Sequence, residues 1–310
     1  MKESIPCPLC NAEPDKQKIH SDKVYLGKPG QKIMRCAVCD VAYLYPMLSE
    51  TEKEKFYKDE FHEFMEKRAG TAAAANSDWL VPENHIKANE RQVARRMKYI
   101  KPHLPVPGGR ILDIGCSSGF MLFPLKELGY DCIGIEPAAN YSQFISSKGI
   151  LCFQSLKDFL DSTEAETGFD LITHFFVADE MLDPILFIRQ QIPLLREGGK
   201  IIFEVNSTDD ALLSLYKLEA FNEFFWQVSE NYFFSVDSFT YMIKKFGLPY
   251  KIILDQRYDL SNHLTWAIEG KPGGMGRFKS YFGSELEEYY RKALIKSKHC
   301  DTLIGILENT

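Results

Sequence analysis

A doubly wound, mostly parallel α/β sheet carrying a small N-terminal zinc ribbon and a helical linker is the fold this sequence predicts. Three observations lead to it. From Arg110 onward, strand-like and helix-like runs alternate, the order that builds a parallel sheet covered by helices. Two Cys-x2-Cys pairs stand near the N-terminus. Between these regions, Pro102, Pro105 and Pro107 followed by Gly108-Gly109 mark a boundary.

The chain has 310 residues, enough for one large core and an appended unit, and 45% of them are hydrophobic, as in an ordinary globular protein. No run reaches the roughly 18 apolar residues of a membrane helix. The start, MKESIPCPLC, has no apolar signal core, so a cytoplasmic location is expected. A formal net charge of −6 disfavours a nucleic-acid partner. The helically spaced Arg91, Arg95, Arg96 and Lys98 are read as a solvated face.

Residues 1–48 form the expected zinc ribbon, with strands around Val24-Tyr25-Leu26 and Val41 to Leu44. Cys7-x2-Cys10 and Cys36-x2-Cys39 each let two thiolates grip one Zn2+ from a tight turn. Four sulfurs leave no open coordination position, so the metal is expected to be structural. Cys116, Cys132, Cys152 and Cys300 are scattered and read as buried free thiols. Residues 49–107 are a helical linker: Ser49-x-x-Glu52 is a capping box opening a helix to about Lys67, Gly70 to Val81 reads as a loop, and a second helix covers about His85 to Ile100.

The core is placed at 108–270 and a C-terminal tail packing on it at 271–310. RILDIG, DCIGIE, ILCF, FDLITHFFV and KIIFEV are its strands; FMLFPLKELG and NYSQFISSKG are helices stopped by Gly129 and Gly149. Asp183 is the N-cap of a further helix with Pro184 at its first position. An aromatic, helical segment runs from Asn206 to about Phe246, and a last strand lies near KIILDQ.

The chemically informative stretch is ILDIGCSSGF at 111–120, a strand followed by a turn of small residues opening a helix. Such a turn lies at the carboxyl end of parallel strands and admits a ligand close to the backbone. Glu136 closes the next strand, where a carboxylate can accept both hydroxyls of a ribose. The turn lacks the G-x-G-x-x-G of dinucleotide enzymes. LDIGCSSG instead resembles the first motif of class I S-adenosyl-L-methionine-dependent methyltransferases, and GIEP at 134–137 their second. The resemblance implies a Rossmann-like core in which Gly115 and Gly119 shape the pocket for the methionine part and Asp113 orders it. Cys116, Ser117, Pro137 and Phe175 would line it, Glu136 would hold the ribose, and Ser155-Leu156 would flank the adenine. Ser117 stands where glycine is common in that family. FDLITHFFVADEMLDP and LLREGGKIIFEVN look like the family's fourth and fifth strands with their flanks. A zinc knuckle unit before such a domain is similar to bacterial enzymes of deoxysugar, polysaccharide and natural-product metabolism.

Methyl transfer from a sulfonium is an in-line displacement, so the enzyme has to align the nucleophile and remove a proton where there is one. Candidate bases are Glu180 and His263, then Asp179 and His174; related enzymes commonly carry a Glu-His pair where this chain has Asp179-Glu180. Tyr232, Arg257, Tyr258, Asn262 and Trp266 are candidate acceptor contacts able to hydrogen-bond and stack a sugar. The expected acceptor is a small molecule, sugar-linked, methylated on O, N or C by a monomer or homodimer. Two rivals are an RNA methyltransferase docking RNA on its ribbon and a zinc-stapled interaction module without catalysis. The negative charge, the acidic 49–66 helix and the lack of an N-P-P-Y-like sequence count against RNA.

Overall fold

The computed structural model describes residues 5–69 and 81–310. Seven strands form one sheet: β4 (Arg110–Ile114), β5 (Asp131–Ile135), β6 (Leu151–Phe153), β7 (Phe169–Phe175), β8 (Leu195–Asn206), β10 (Tyr250–Asp255) and β11 (Thr302–Glu308). Their spatial order is β10-β11-β8-β7-β4-β5-β6. Strands β8, β7, β4, β5 and β6 run parallel, while β11 is antiparallel to both β8 and β10.

The alternation of side chains along each strand sends apolar residues to both faces, which is why the strands read as continuous apolar runs. Leu112, Ile133, Ile172 and Phe203 pack into one core; Ile111, Cys132, Leu171 and Ile202 pack into another with Ile100, Leu122 and Ile145. The doubly wound, mostly parallel sheet expected from the sequence is the architecture observed. The 271–310 segment is more than a tail. Its residues 302–308 enter the sheet as β11, because TLIGILE is buried almost throughout and can satisfy its backbone only between two strands.

The ribbon carries β1 (Gln17–Ser21), β2 (Lys32–Cys36) and β3 (Ala42–Tyr45). Val24 to Leu26 is not one of its strands. Leu26 adopts a left-handed φ of 53° and only Tyr25 bridges, to Gln227, so β hydrogen bonding cannot continue through it. A two-residue strand from the core, β9 (Tyr232–Phe233), extends the ribbon sheet by pairing Ala42 with Phe233 and Tyr43 with Tyr232. A third apolar cluster, including Ile33, Leu44, Phe64, Phe225, Trp226 and Trp266, joins ribbon, linker and core.

The linker begins as predicted: Ser49 and Glu52 form a reciprocal capping box for the helix Glu50–Lys55. A π turn at Phe56–Glu60 leads into a helix at Phe61–Ala69. The expected loop at Gly70 to Val81 lies outside the described residues apart from its last position. Helices Pro82–Ala88 and Glu90–Ile100 follow. Among the described residues, no helix is long and apolar enough to cross a membrane.

Candidate active site

The first cavity opens where β4 and β7 adjoin and the chain turns to opposite sides of the sheet, the place where such folds bind ligands. It encloses about 210 Å³ and is lined by Asp113, Gly115, Cys116 and Ser117 from the β4 turn, by Phe175 from the end of β7, and by Met65, His85, Asn89, Arg96, Phe120 and Tyr141. Gly115 has φ 70°, and a Cβ there would meet Val177 Cγ2 at 2.6 Å, so only glycine fits. Ser117 also lies in the left-handed region, at φ 52°, which explains why glycine is common at this position. Its backbone N–H donates to Glu136 Oε2 at 2.7 Å, while Ala138 N–H donates to Oε1 at 2.8 Å. Asp113 accepts a 2.7 Å hydrogen bond from Thr173. Burial raises Asp113 to about 7 and Glu136 to about 7, against the hydrogen bonds they accept. Gly119, Glu136, Pro137, Ser155 and Leu156 stand outside this lining, with Ser155 capping the helix Leu156–Leu160 through Asp158 N at 3.0 Å.

Four groups of this cavity carry no local motif. His85 pairs through Nδ1 with Ser118 Oγ at 2.8 Å and is lowered to about 4 by burial. Tyr141 tilts against the His85 ring, and Asn89 lies within 3.2 Å of His85 Nε2. Arg96 and its neighbour Arg95 are not the solvated face read from the sequence. Arg96 lies over the Phe175 ring at 3.9 Å and pairs with Glu204 at 3.2 Å; Arg95 pairs with Glu204 and, at 2.8 Å, with Asp255. Their carboxylate partners stand on distant strands of the sheet, which draws both cations inward.

A second cavity of about 220 Å³ shares Met65 with the first. One wall is aromatic, with Trp266 edge-on to Phe221 at 5.0 Å and Phe224 beside it. The other is polar, with Asn206, Asp210, Glu230, Arg257, Asn262 and Asp301. Arg257 Nη2 donates to Asn206 Oδ1 at 2.9 Å, and Asn206 Nδ2 donates to Glu230 Oε1 at 3.0 Å.

The family described as "Methyltransferase domain" matches residues 85–250, more than half of the chain. The chain belongs to this methyltransferase family. Among curated relatives, a ubiquinone biosynthesis O-methyltransferase of Nitrosococcus oceani is 30% identical over 142 residues, covering 44% of this chain and 60% of the relative. One of Xanthomonas oryzae pv. oryzae is 26% identical over 127 residues, covering 39% and 52%. The chain thus spans about half the length of the curated relatives it matches. The crystal structure of a SAM-dependent methyltransferase from Archaeoglobus fulgidus superimposes with a TM-score of 0.50 over 81% of this chain and 100% of that one, at 15% identity, a likeness of fold.

Within this fold the sequence candidates separate sharply. His174 is fully buried, stacks on Phe203 at 4.9 Å, and finds no hydrogen-bond partner for either ring nitrogen among the described residues; burial lowers it to about 3. His263 is held at Nδ1 by Tyr290 at 2.7 Å, sits 3.2 Å from Gln256, and is lowered to about 4 by burial. Neither ring lines either of these two cavities. Tyr232 donates to Leu182 O at 2.9 Å from within the β3–β9 pairing, outside both cavities. Arg257, Tyr258, Asn262 and Trp266 do come together around the second cavity.

Asp179 and Glu180 lie in a short 3-10 turn leaving β7 and line neither cavity. Asp179 is buried and raised to about 7 by burial and by Glu180. The Glu180 carboxylate accepts the Tyr57 hydroxyl, and its carbonyl accepts from Lys53 and, at 2.8 Å, from Asn231. Glu180 therefore anchors the linker segment that carries Met65. Asp183 caps the next helix through Leu186 N at 2.8 Å, as expected.

The four ribbon cysteines bring their sulfurs within 4.8 Å of one another. Cys7 and Cys39 are 3.7 Å apart, as are Cys10 and Cys36. A tetrahedron with zinc–sulfur bonds of about 2.3 Å has edges of about 3.8 Å, the spacing of these two sulfur pairs, so the donor set suits Zn2+. Asn11 and Asp40, each just after a second cysteine, take left-handed φ of 59° and 64° that turn both knuckles tightly.

Proposed function

We propose that the protein transfers a methyl group from S-adenosyl-L-methionine to a small, sugar-linked acceptor, such as a sugar nucleotide or a related precursor. The observation that carries the reading is the pair of cavities meeting at Met65, one built from the cofactor motif and one walled by aromatic and polar groups. The cofactor supplies a methyl group on a sulfonium, already activated for displacement. On this reading Gly115, Cys116 and Ser117 face the methionine part, Asp113 orders it, and Glu136 holds the ribose hydroxyls.

In the second cavity, Trp266 and Phe221 offer a face to the C–H side of a sugar ring. Arg68 and Arg257 offer cations to a diphosphate, and Asn262 and Glu230 can accept hydroxyls. The names of the curated relatives, O-methyltransferases acting in ubiquinone biosynthesis, agree with methylation of a small molecule. Zn2+ in the ribbon would be structural, because four cysteines fill its coordination.

Calorimetry with S-adenosylhomocysteine tests the donor half, and mass spectrometry for a gain of one CH2 across a sugar-nucleotide panel tests the acceptor half. Absence of S-adenosylhomocysteine binding sinks the reading. A pH dependence follows as well. Asp113 and Glu136 are raised to about 7, so a ligand with a cationic amino group that favours their ionised forms releases protons on binding. Affinity should increase as pH rises through 7, by up to about tenfold per unit for each group coupled to the ligand, and then level off. Calorimetry in two buffers of different ionisation enthalpy reads the proton release; pH-independent affinity excludes the assignment.

A further inference from the structure

We propose that Glu230 is the group that takes the proton from a hydroxyl of the acceptor during methyl transfer. The proposal rests on the reading above, and it assigns the base to a residue that lines the second cavity, which Glu180, His263, Asp179 and His174 do not.

Three acids line the second cavity: Asp210, Glu230 and Asp301. Asp301 is saturated, accepting from Gln256 Nε2 at 2.8 Å, Arg257 N at 2.9 Å, Tyr258 N at 2.9 Å and Thr302 Oγ1 at 2.6 Å. Asp210 caps the helix Ala211–Ser214, its Oδ1 accepting from Leu212 N at 2.7 Å, and it has no buried oxygen left unpartnered among the described residues. Glu230 differs from both. It is 7% exposed, its Oε1 is fixed by Asn206, and its Oε2 has no hydrogen-bond partner among the described residues.

Two further atoms on the same cavity's residues are also without partners, Asn262 Oδ1 and Arg257 Nε. Buried polar atoms left without a partner each cost about 1–3 kcal/mol, so three on the residues of one cavity point to a ligand that completes them. Two are acceptors and one is a donor, the complement of a ligand bearing several hydroxyls.

The chain Arg257–Asn206–Glu230 holds the carboxylate by one oxygen and leaves the other without a partner. As the acceptor oxygen bonds to the methyl carbon, its proton passes to Glu230 Oε2. The carbon–sulfur bond breaks with its electron pair going to sulfur, and the sulfonium becomes a neutral thioether. The charged groups facing Glu230 are Asp179 and Glu180 from the β7 turn, Lys53 and Arg68 from the linker, and Arg257. Burial and Asp179 hold its carboxyl well above the ordinary range, and it acts as a base only in the form that has lost its proton.

The test uses the full chain, with UDP-glucose, UDP-galactose and UDP-glucosamine as probes. Glu230→Gln should leave S-adenosylhomocysteine affinity unchanged by calorimetry. Affinity of the S-adenosylhomocysteine complex for the hydroxyl probe that the wild type methylates should change less than about threefold, while kcat falls at least about 100-fold. The wild-type rate should rise with pH and then level off, and Glu230→Asp should restore part of the rate lost in Glu230→Gln. Retained turnover in Glu230→Gln overturns the proposal. So does methylation of the amine of UDP-glucosamine alone, or binding of none of the probes to a wild type that binds S-adenosylhomocysteine; neither touches the cofactor assignment. Failure of the wild type to bind S-adenosylhomocysteine sinks the underlying reading as well. If Glu230→Gln itself loses S-adenosylhomocysteine binding, the wild-type pH profile decides, and a flat profile overturns it.

Discussion

Replacing Cys36 with serine is expected to lower the melting temperature of the whole chain, rather than that of the ribbon alone. A structural zinc site binds with about 10–16 kcal/mol near neutral pH, comparable to the about 5–15 kcal/mol that hold an entire domain folded. The loss cannot stay local. Strand β3 hands its edge to β9, and β9 follows directly on Glu230 and Asn231. Arg35 grips Asp40 through two bonds of 2.8 and 2.9 Å, and Asp40 also accepts the Ser235 hydroxyl at 2.7 Å, at the cap of the helix Val236–Lys244. Ile33, Ala42 and Leu44 pack with Phe225, Trp226 and Phe233. Melting the ribbon therefore uncovers the aromatic cluster that backs the second cavity. Calorimetric melting should show one transition lowered on the order of 10 °C, with zinc absent by elemental analysis; an unchanged transition in the metal-free variant would show that the ribbon is thermally independent.

The parts of this molecule that sequence reasoning reached are those written within one short segment. The cysteine knuckles, the Ser49–Glu52 and Asp183 caps, and the Gly115 turn each depend on residues a few positions apart, and all take the expected geometry. What escaped depends on partners far along the chain. Arg95 and Arg96 look like surface charge because Glu204 lies 109 and 108 residues away. β11 looks like a tail because nothing near it reveals that β8 and β10 leave a gap for it. His263 looked reactive beside Asn262 and Trp266, yet on the helix Leu260–Glu269 its ring turns to Tyr290 and Gln256 while those two face the cavity. Glu230 had no motif to mark it; what sets it apart is an oxygen without a partner, which only coordinates reveal.

Glu204→Gln should cost about 3–5 kcal/mol of stability and weaken S-adenosylhomocysteine binding together. Glu204 is fully buried on β8 and accepts from Arg95, Arg96 and the Tyr99 hydroxyl, all on the helix Glu90–Ile100. A buried ion pair need not stabilise relative to an apolar replacement, but removing one charge strands the others in a low-dielectric interior. Arg95 retains Asp255, so the deficit falls mainly on Arg96. That guanidinium covers Phe175 and lines the first cavity, so any shift toward solvent opens that cavity. The two arginines and burial oppose each other at Glu204, and the arginines prevail: its carboxyl is held below the usual range. A lowered folded value means the contribution is complete above the unfolded value of about 4.3 and is lost as pH falls through the folded one. Urea unfolding should accordingly show wild type losing stability on the acid side, while the variant, lacking the group, loses less. Equal urea midpoints for both proteins at neutral pH would mean that Arg96 finds another counter-charge, and the helix Glu90–Ile100 would then be held to the sheet by its apolar contacts through Ile100.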